Sequence, residues 1–413
     1  MRKRNMLILS GFWGLFVGAV PVLAFQLPDT GITKCYDNEK EITCPAPDEP
    51  FYGQDAQYSG PQLSYHDNGD GTVTDLNTGL IWQKGDTQKA SGRTWQEACD
   101  YCAALALGGY SDWRLPTRRE LLSIVNFGRL FPCITTTYFP DCISGYYWSS
   151  SAVVSNPDEA WGSSFYQPWM QPLTKAYSDF YVRCVRGGPI SAPAFRDNGN
   201  GTITDSTTGL VWQKGESWAQ TWEEALDYCE GLTLGNRSDW RLPNIRELES
   251  IVDWDRSNPA INITYFPDCS GSIYTCYWSS STRMSLLEQA HTVNFNLGNV
   301  RDDGKVMYEI SRCVCGGPVE HYVEPSGVCG TKTPCYTTIQ AALNAAADGD
   351  TVQAAKTLAA EEPVWSKTGT VTISGGWKTD FSGQDGTTSM YAPKATGGGG
   401  VKIQPNVKII PKP

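Results

Sequence analysis

The sequence predicts an α+β fold of two tandem domains with long loops, followed by a small β-rich module, and three observations carry that expectation. The chain repeats itself: "HDNGDGTVTDLNTGLIWQKG" from His66 returns as "RDNGNGTITDSTTGLVWQKG" from Arg196, and "YSDWRLPTRRELLSIVN" from Tyr110 returns as "RSDWRLPNIRELESIVD" from Arg237. "YYWSSS" and "RCVRGGP" likewise return as "CYWSSS" and "RCVCGGP". The period is about 130 residues, a whole domain, whereas solenoid units run roughly 20–50 and cannot fold singly. Within each copy, strand-type alternation gives way to helix-type spacing and then returns to strand, which mixes α and β in one unit.

From the N-terminus, Arg2, Lys3 and Arg4 precede an apolar run and the small-residue exit Val22-Leu23-Ala24. Residues 1–24 read as a removed signal peptide, the rival reading being a single membrane anchor. Residues 25–60, rich in Pro, Asp and Gly, read as an irregular leader. The first domain is expected over 61–189 and the second over 190–318. In each, Asn-Gly and Asp-Gly turn signals around alternating β-branched residues predict a hairpin with Trp82 or Trp212 pointing inward. Two capped helices follow. Thr94/Glu97 and Thr221/Glu224 open the first helix of each copy, and Thr117/Glu120 and Asn244/Glu247 open the second, because hydroxyl or amide and carboxylate can satisfy each other's free backbone donors. Long connections at 127–147 and 152–180, and at 254–277 and 282–310, hold most of the divergence between the copies, and loops on a rigid frame are where sites usually sit. The closing strand carries "RCV". Residues 319–413 begin with an apolar helical pattern and continue as short β-rich runs.

The net charge of −11 becomes more negative once Arg2, Lys3 and Arg4 are removed, which makes nucleic acid a poor partner. Fourteen cysteines agree with an oxidising compartment. Cys102 and Cys229 occupy matching places, as do Cys184 and Cys313, so bridges Cys102–Cys184 and Cys229–Cys313 are the economical assignment. The close pairs Cys35/Cys44, Cys133/Cys142, Cys269/Cys276 and Cys329/Cys335 are expected to close small loops. Cys99 and Cys315 remain, either joining one repeat to the other or standing as free thiols. The mature chain is expected to be secreted, periplasmic or at the cell surface, with no membrane span after signal cleavage.

The run "DNGDGTVTDLNTGLIWQK", "SDWRLPTRREL", "YWSSS" and "VRCVRGG", twice in that order, resembles the family of Lcl C-terminal domains, named for a bacterial collagen-like adhesin. That family is similar to C-type-lectin-like domains, in which a bridge joins the first helix to the final strand, in agreement with the cysteine assignment. The resemblance implies two C-type-lectin-like modules acting in extracellular recognition or adhesion, with a glycan or a surface protein as partner and no enzymatic activity. The chain has no Gly-X-Y stretch, and its acidity speaks against sulfated glycans. Nor does it show the Glu-Pro-Asn or Gln-Pro-Asp triplet of calcium-dependent lectins, so no cofactor is called for, with calcium left open. The tail, through "TIQAALNAAADGDTV", resembles the opening coil of a right-handed parallel β-helix.

Several residues invite chemical readings. Asp67, Asp70 and Asp75, with Asp197, Asn200 and Asp205, fail the EF-hand spacing and are read as turn formers rather than metal ligands. Arg114 and Arg241, in identical "DWRLP" contexts, are read as buried arginines satisfied by Asp112 and Asp239. The serine runs 149–151 and 279–281 lack a histidine at matching positions in both copies, so no catalytic residue is assigned. Trp161, Tyr166, Trp169 and Trp254, on divergent loops, are the expected ligand-binding aromatics, since flat apolar faces stack on sugar rings. The rival to recognition is a structural role as a protein-binding subunit of a surface assembly. A further rival is a copper oxidase of the formylglycine-generating type, which the Cys313-Val314-Cys315 thiols would serve.

Overall fold

A short antiparallel sheet opens each repeat because its turn residues demand it. In the first repeat, β1 (Tyr65–Asp67), β2 (Thr72–Asp75) and β3 (Ile81–Gln83) form this sheet, and helices α1 (Trp95–Ala103) and α2 (Arg118–Ser123) follow. Next come β4 (Tyr146–Val153), β5 (Asn156–Ser164), β6 (Trp169–Thr174) and the closing β7 (Val185–Arg186). The second repeat has the same order: β8 (Phe195–Asp197), β9 (Thr202–Asp205), β10 (Leu210–Gln213), α3 (Trp222–Glu230), α4 (Ile245–Ser250), β11 (Tyr277–Thr282), β12 (Gln289–Asn294), β13 (Asn299–Gly304) and β14 (Val314–Gly316). The closing strand returns to the opening hairpin, giving the sheet orders β1-β2-β3-β7 and β8-β9-β10-β14, while β4-β5-β6 and β11-β12-β13 form separate meanders. The computed structural model describes residues 27–58, 60–85, 92–235, 237–316, 320–330, 332, 335–346, 350–367, 370–404 and 406–412. The expected signal peptide lies outside them. Among the described residues no helix is long and apolar enough to cross a membrane.

The local signals read from the sequence form as expected. Val73 faces Trp82 across the first hairpin and Ile203 faces Trp212 across the second, and both tryptophans are fully buried. All four helices carry complete capping boxes at Thr94/Glu97, Thr117/Glu120, Thr221/Glu224 and Asn244/Glu247. Bridges Cys102–Cys184 and Cys229–Cys313 tie the first helix of each repeat to the residue preceding the closing strand, and Cys35–Cys44 and Cys329–Cys335 close small loops. Two expected pairs differ: no disulfide joins Cys133 to Cys142 or Cys269 to Cys276. The Cys133 sulfur instead faces the Ser164 carbonyl, and that of Cys142 the Tyr147 hydroxyl. Cys99 and Cys315 are also free and pack in different clusters, Cys99 beside Trp113 in repeat one and Cys315 beside Trp240 in repeat two, so they do not join the repeats.

The leader is more built than the sequence implied. Its hairpin, Cys35–Tyr36 with Glu41–Ile42, and the buried residues Thr30, Tyr36, Gln54 and Asp55 dock it on both repeats. Phe127 of repeat one donates its backbone N–H to the Thr30 carbonyl, and Lys305 of repeat two donates to the Asp37 carbonyl at 2.7 Å.

Reciprocal contacts join the two repeats. Leu121 of α2 and Leu248 of α4, with the C-cap residues Ile124 and Ile251, lie in a single core that also takes in Trp82 and Trp212. Trp161 of repeat one packs against Trp254 of repeat two at 5.9 Å. The exchanged pair is His291 against Phe127 at 5.4 Å, His291 holding the strand position of Trp161 and Phe127 the post-helix position of Trp254. This is the pattern of an isologous interface, here within one chain. Strand β6 lies along β13 across the same junction. Gly298 has φ +80, and a Cβ there would meet Val252 Cγ1 at 2.4 Å, so the turn between β12 and β13 requires glycine to pack on the segment that follows α4.

The tail is built of parallel ladders. Strands β15 (Glu320–Val323), β16 (Cys335–Tyr336), β17 (Thr351–Ala355), β18 (Thr370–Trp377) and β19 (Gly400–Ile403) form a sheet of order β16-β15-β17-β18-β19, with helix α5 (Ile339–Ala345) preceding β17. Two further parallel pairs, Val364–Trp365 with Lys394–Ala395 and Thr388–Met390 with Val407–Ile409, stack alongside. Successive parallel rungs of this kind are how β-helix coils pile up.

Candidate functional site

The residues singled out in the sequence divide between scaffold, junction and surface. Arg114 and Arg241 are scaffold, but their partners are Glu120 and Glu247 rather than Asp112 and Asp239. Arg114 makes a bidentate pair with Glu120 at 2.7 and 2.6 Å, and Arg241 does the same with Glu247. The same glutamate caps its helix, so one carboxylate fixes both the helix start and the "WRLP" turn. Asp112 pairs with Arg186 and Asp239 with Arg237. Among the turn aspartates, Asp70 accepts from the Thr72 backbone and hydroxyl, and Asp75 from Asn77 and Thr78, which is turn chemistry. Serine hydroxyls at 149 and 279 donate to the carbonyls of Trp161 and His291. Cys313 is committed to its bridge, so the Cys313/Cys315 pair does not offer two thiols to copper.

Three of the four expected ligand-binding aromatics sit at the junction. Trp161 is only 2% exposed, and the Arg118 guanidinium lies between the Trp161 and Trp254 rings at 3.8 and 3.5 Å. Arg118 also donates to Glu249 at 2.8 Å and to the Gly298 carbonyl at 2.7 Å. Burial holds its pKa down to about 10, against the attraction of Glu249. Trp169 donates its indole N–H to Asp302, which also takes His291 Nδ1 at 2.6 Å. These tryptophans are engaged in packing one repeat on the other, and the buried Trp161 presents no face to solvent. Tyr166 is half exposed and packs on Phe131 at 4.5 Å. A small cavity lies at the junction, lined by Leu27, Arg119, Leu122, Arg246, Glu249 and Trp254 among others.

The most exposed large aromatics lie elsewhere, on the loops of repeat two. Tyr274 is 85% exposed, Trp218 70% and Tyr308 66%, with Val306 and Met307 exposed beside Tyr308. Hydrogen bonds join these loops to one another, and the Trp218 ring packs on Tyr228 at 5.6 Å. Gln220 and Glu309 exchange backbone hydrogen bonds, which brings the Trp218 segment beside the Tyr308 turn. The backbone N–H of Cys276 donates to Glu309 at 2.7 Å, which fastens the Tyr274 loop to the same turn. Beneath them, ligand atoms of Cys276, Asp303 and Glu309 lie within 4.8 Å of one another. Burial and the neighbouring Asp303 carboxylate push Glu309 up to about 6, and burial with both carboxylates pushes the Cys276 thiol up to about 12. Sequence reading named the connections that carry Tyr274 and Tyr308 but not these rings, and it missed Trp218, which lies in the short segment between the hairpin and α3; only the fold shows which rings are exposed.

The sequence model of the Lcl C-terminal domain family matches residues 71–186 and again 201–315. Among curated proteins, none matches the chain. The two matched segments cover more than half of the sequence and coincide with the two repeats from the first hairpin to the closing strand, so the chain belongs to the Lcl C-terminal domain family and carries that domain twice in tandem.

Proposed function

We propose that the protein is a secreted or cell-surface recognition or adhesion protein, non-enzymatic, whose C-type-lectin-like modules bind a glycan through the loop face of repeat two. The observation that carries this reading is the exposure of Tyr274, Trp218 and Tyr308 on loops that hydrogen bonds hold to one another. Such rings stack on the apolar faces of sugars, and carboxylates among them can accept sugar hydroxyls. The net charge of −11 favours neutral over sulfated glycans. Membership of an adhesin-derived domain family supports the surface role, and four disulfides fit an oxidising compartment. The exposed Val306 and Met307 favour a second reading, a protein partner in a surface assembly, because apolar side chains next to aromatics make protein interfaces. A glycan array probed with the protein, with calcium and with chelator, separates the two: a neutral-glycan hit lost on Trp218→Ala supports the first, and silence on every glycan supports the second.

A further inference from the structure

We infer that Cys276, Asp303 and Glu309 form a binding site for a divalent transition metal of the zinc class. The two repeats supply an internal comparison. Register places Cys276 where repeat one has Tyr146, Asp303 where it has Leu173, and Glu309 where it has Phe180. In repeat one those three residues belong to an apolar cluster, with Tyr146 and Phe180 edge to face at 5.8 Å. Gly162 belongs to the same change: a Cβ there would meet Leu173 Cδ1 at 2.1 Å, and repeat two has Thr292 in its place. Thr292 donates its hydroxyl to Asp303 at 2.7 Å and so orients the carboxylate.

The same scaffold position is therefore filled by apolar side chains in one copy and by a thiol and two carboxylates in the other. The scaffold does not need polar groups there. Gathering three groups that ionise to anions works against folding unless a cation joins them. Arg301 is a cation that acts on both Cys276 and Glu309, and it donates to the Ile273 carbonyl. Among the described residues, Asp303 Oδ1 and Glu309 Oε1 accept no hydrogen bond, so each carboxylate keeps an oxygen free to ligate.

One sulfur and two carboxylate oxygens suit Zn²⁺, which takes thiolate and carboxylate in a tetrahedral set. Calcium and magnesium prefer an all-oxygen shell, and the buried sulfur disfavours them. Metal entry displaces the Cys276 proton to solvent, and the thiolate, two carboxylates and a fourth ligand from solvent or a bound molecule complete the shell. The metal site stands whether or not the face binds a glycan, because metal uptake is read directly.

The test is titration of the chelator-stripped full chain with Zn²⁺, and with Co²⁺ to read a thiolate-to-metal charge-transfer band. One site per chain is expected, with a band that Cys276→Ser abolishes and Cys133→Ser leaves intact. Glu309→Gln and Asp303→Asn each lower Zn²⁺ affinity by more than the roughly 10–100-fold that losing a residue behind a ligand costs. Circular dichroism confirms that each variant is folded. No stoichiometric uptake, a band that survives Cys276→Ser, or a Cys269–Cys276 bridge found by peptide mapping of the native protein overturns the site.

Discussion

Asp55 shows how a single residue of the leader couples it to the repeats. Its carboxylate is fully buried and accepts from the Thr30 hydroxyl at 2.9 Å and from Ser281, whose hydroxyl in turn accepts the first backbone N–H of α4. Burial raises its pKa from the ordinary carboxylate value to about 7, with the Asp29 charge adding to the effect. The folded protein therefore holds a proton that the unfolded chain releases near pH 4, so this group's stabilisation is full below that pH and is lost as pH rises to about 7. Asp55→Asn, which keeps an oxygen for both hydroxyls, is expected to flatten the fall in unfolding free energy between pH 4 and 7 in denaturant titrations. Arg118 is the second telling residue, a buried cation paired with the buried Glu249 across the junction. Arg118→Ala strands that carboxylate and should cost about 3–5 kcal/mol in the same titrations, whereas exchanging both partners for apolar residues should cost far less. Neither role could be read from the sequence. Asp55 lies in a segment that looks irregular, and Arg118 stands where the other copy has Ile245.

At the scale of elements, the local signals were legible and their long-range uses were not. Capping boxes announce all four helices of the repeats because both partners lie within one turn. The same sequence misdirects on Arg114: Asp112 is closer along the chain, but the buried Glu120 already faces the turn and accepts the guanidinium with both oxygens. Glu120 thus has two duties and Glu97 has one, its carboxylate serving only Thr94 at an exposed helix start. Glu97→Ala should lower the unfolding temperature only slightly and Glu120→Ala clearly more, compared by thermal unfolding. Cysteine spacing was legible where the copies match, at Cys102/Cys229 and Cys184/Cys313, and misleading at the unmatched Cys133 and Cys276. Proximity in sequence was the only argument for those pairs, and the fold points each sulfur at other groups.

At the scale of the molecule, divergence between the copies serves two purposes. Part of it makes the junction: Trp161 against His291, Trp254 against Phe127, Glu249 against Leu122. Two copies of one fold packed reciprocally need not be identical at the contact, and here one side is a guanidinium between two indoles and the other a histidine on a phenylalanine. On the proposed function, the rest equips the loops of repeat two, which carry the exposed Trp218, Tyr274 and Tyr308 and the group of Cys276, Asp303 and Glu309. Because Leu121, Ile124, Leu248 and Ile251 share one core, the repeats should melt as a single calorimetric transition, and repeat two expressed alone should expose that apolar surface and aggregate. Repeat two, not repeat one, is the repeat proposed to carry the recognition surface. Once a ligand has been found on a glycan array, its affinity for two alanine sets measured side by side decides between the repeats. Replacing Trp218, Tyr274 and Tyr308 should abolish binding while replacing Tyr110, Tyr166 and Tyr177 leaves it unchanged, and loss confined to the repeat-one set would contradict it.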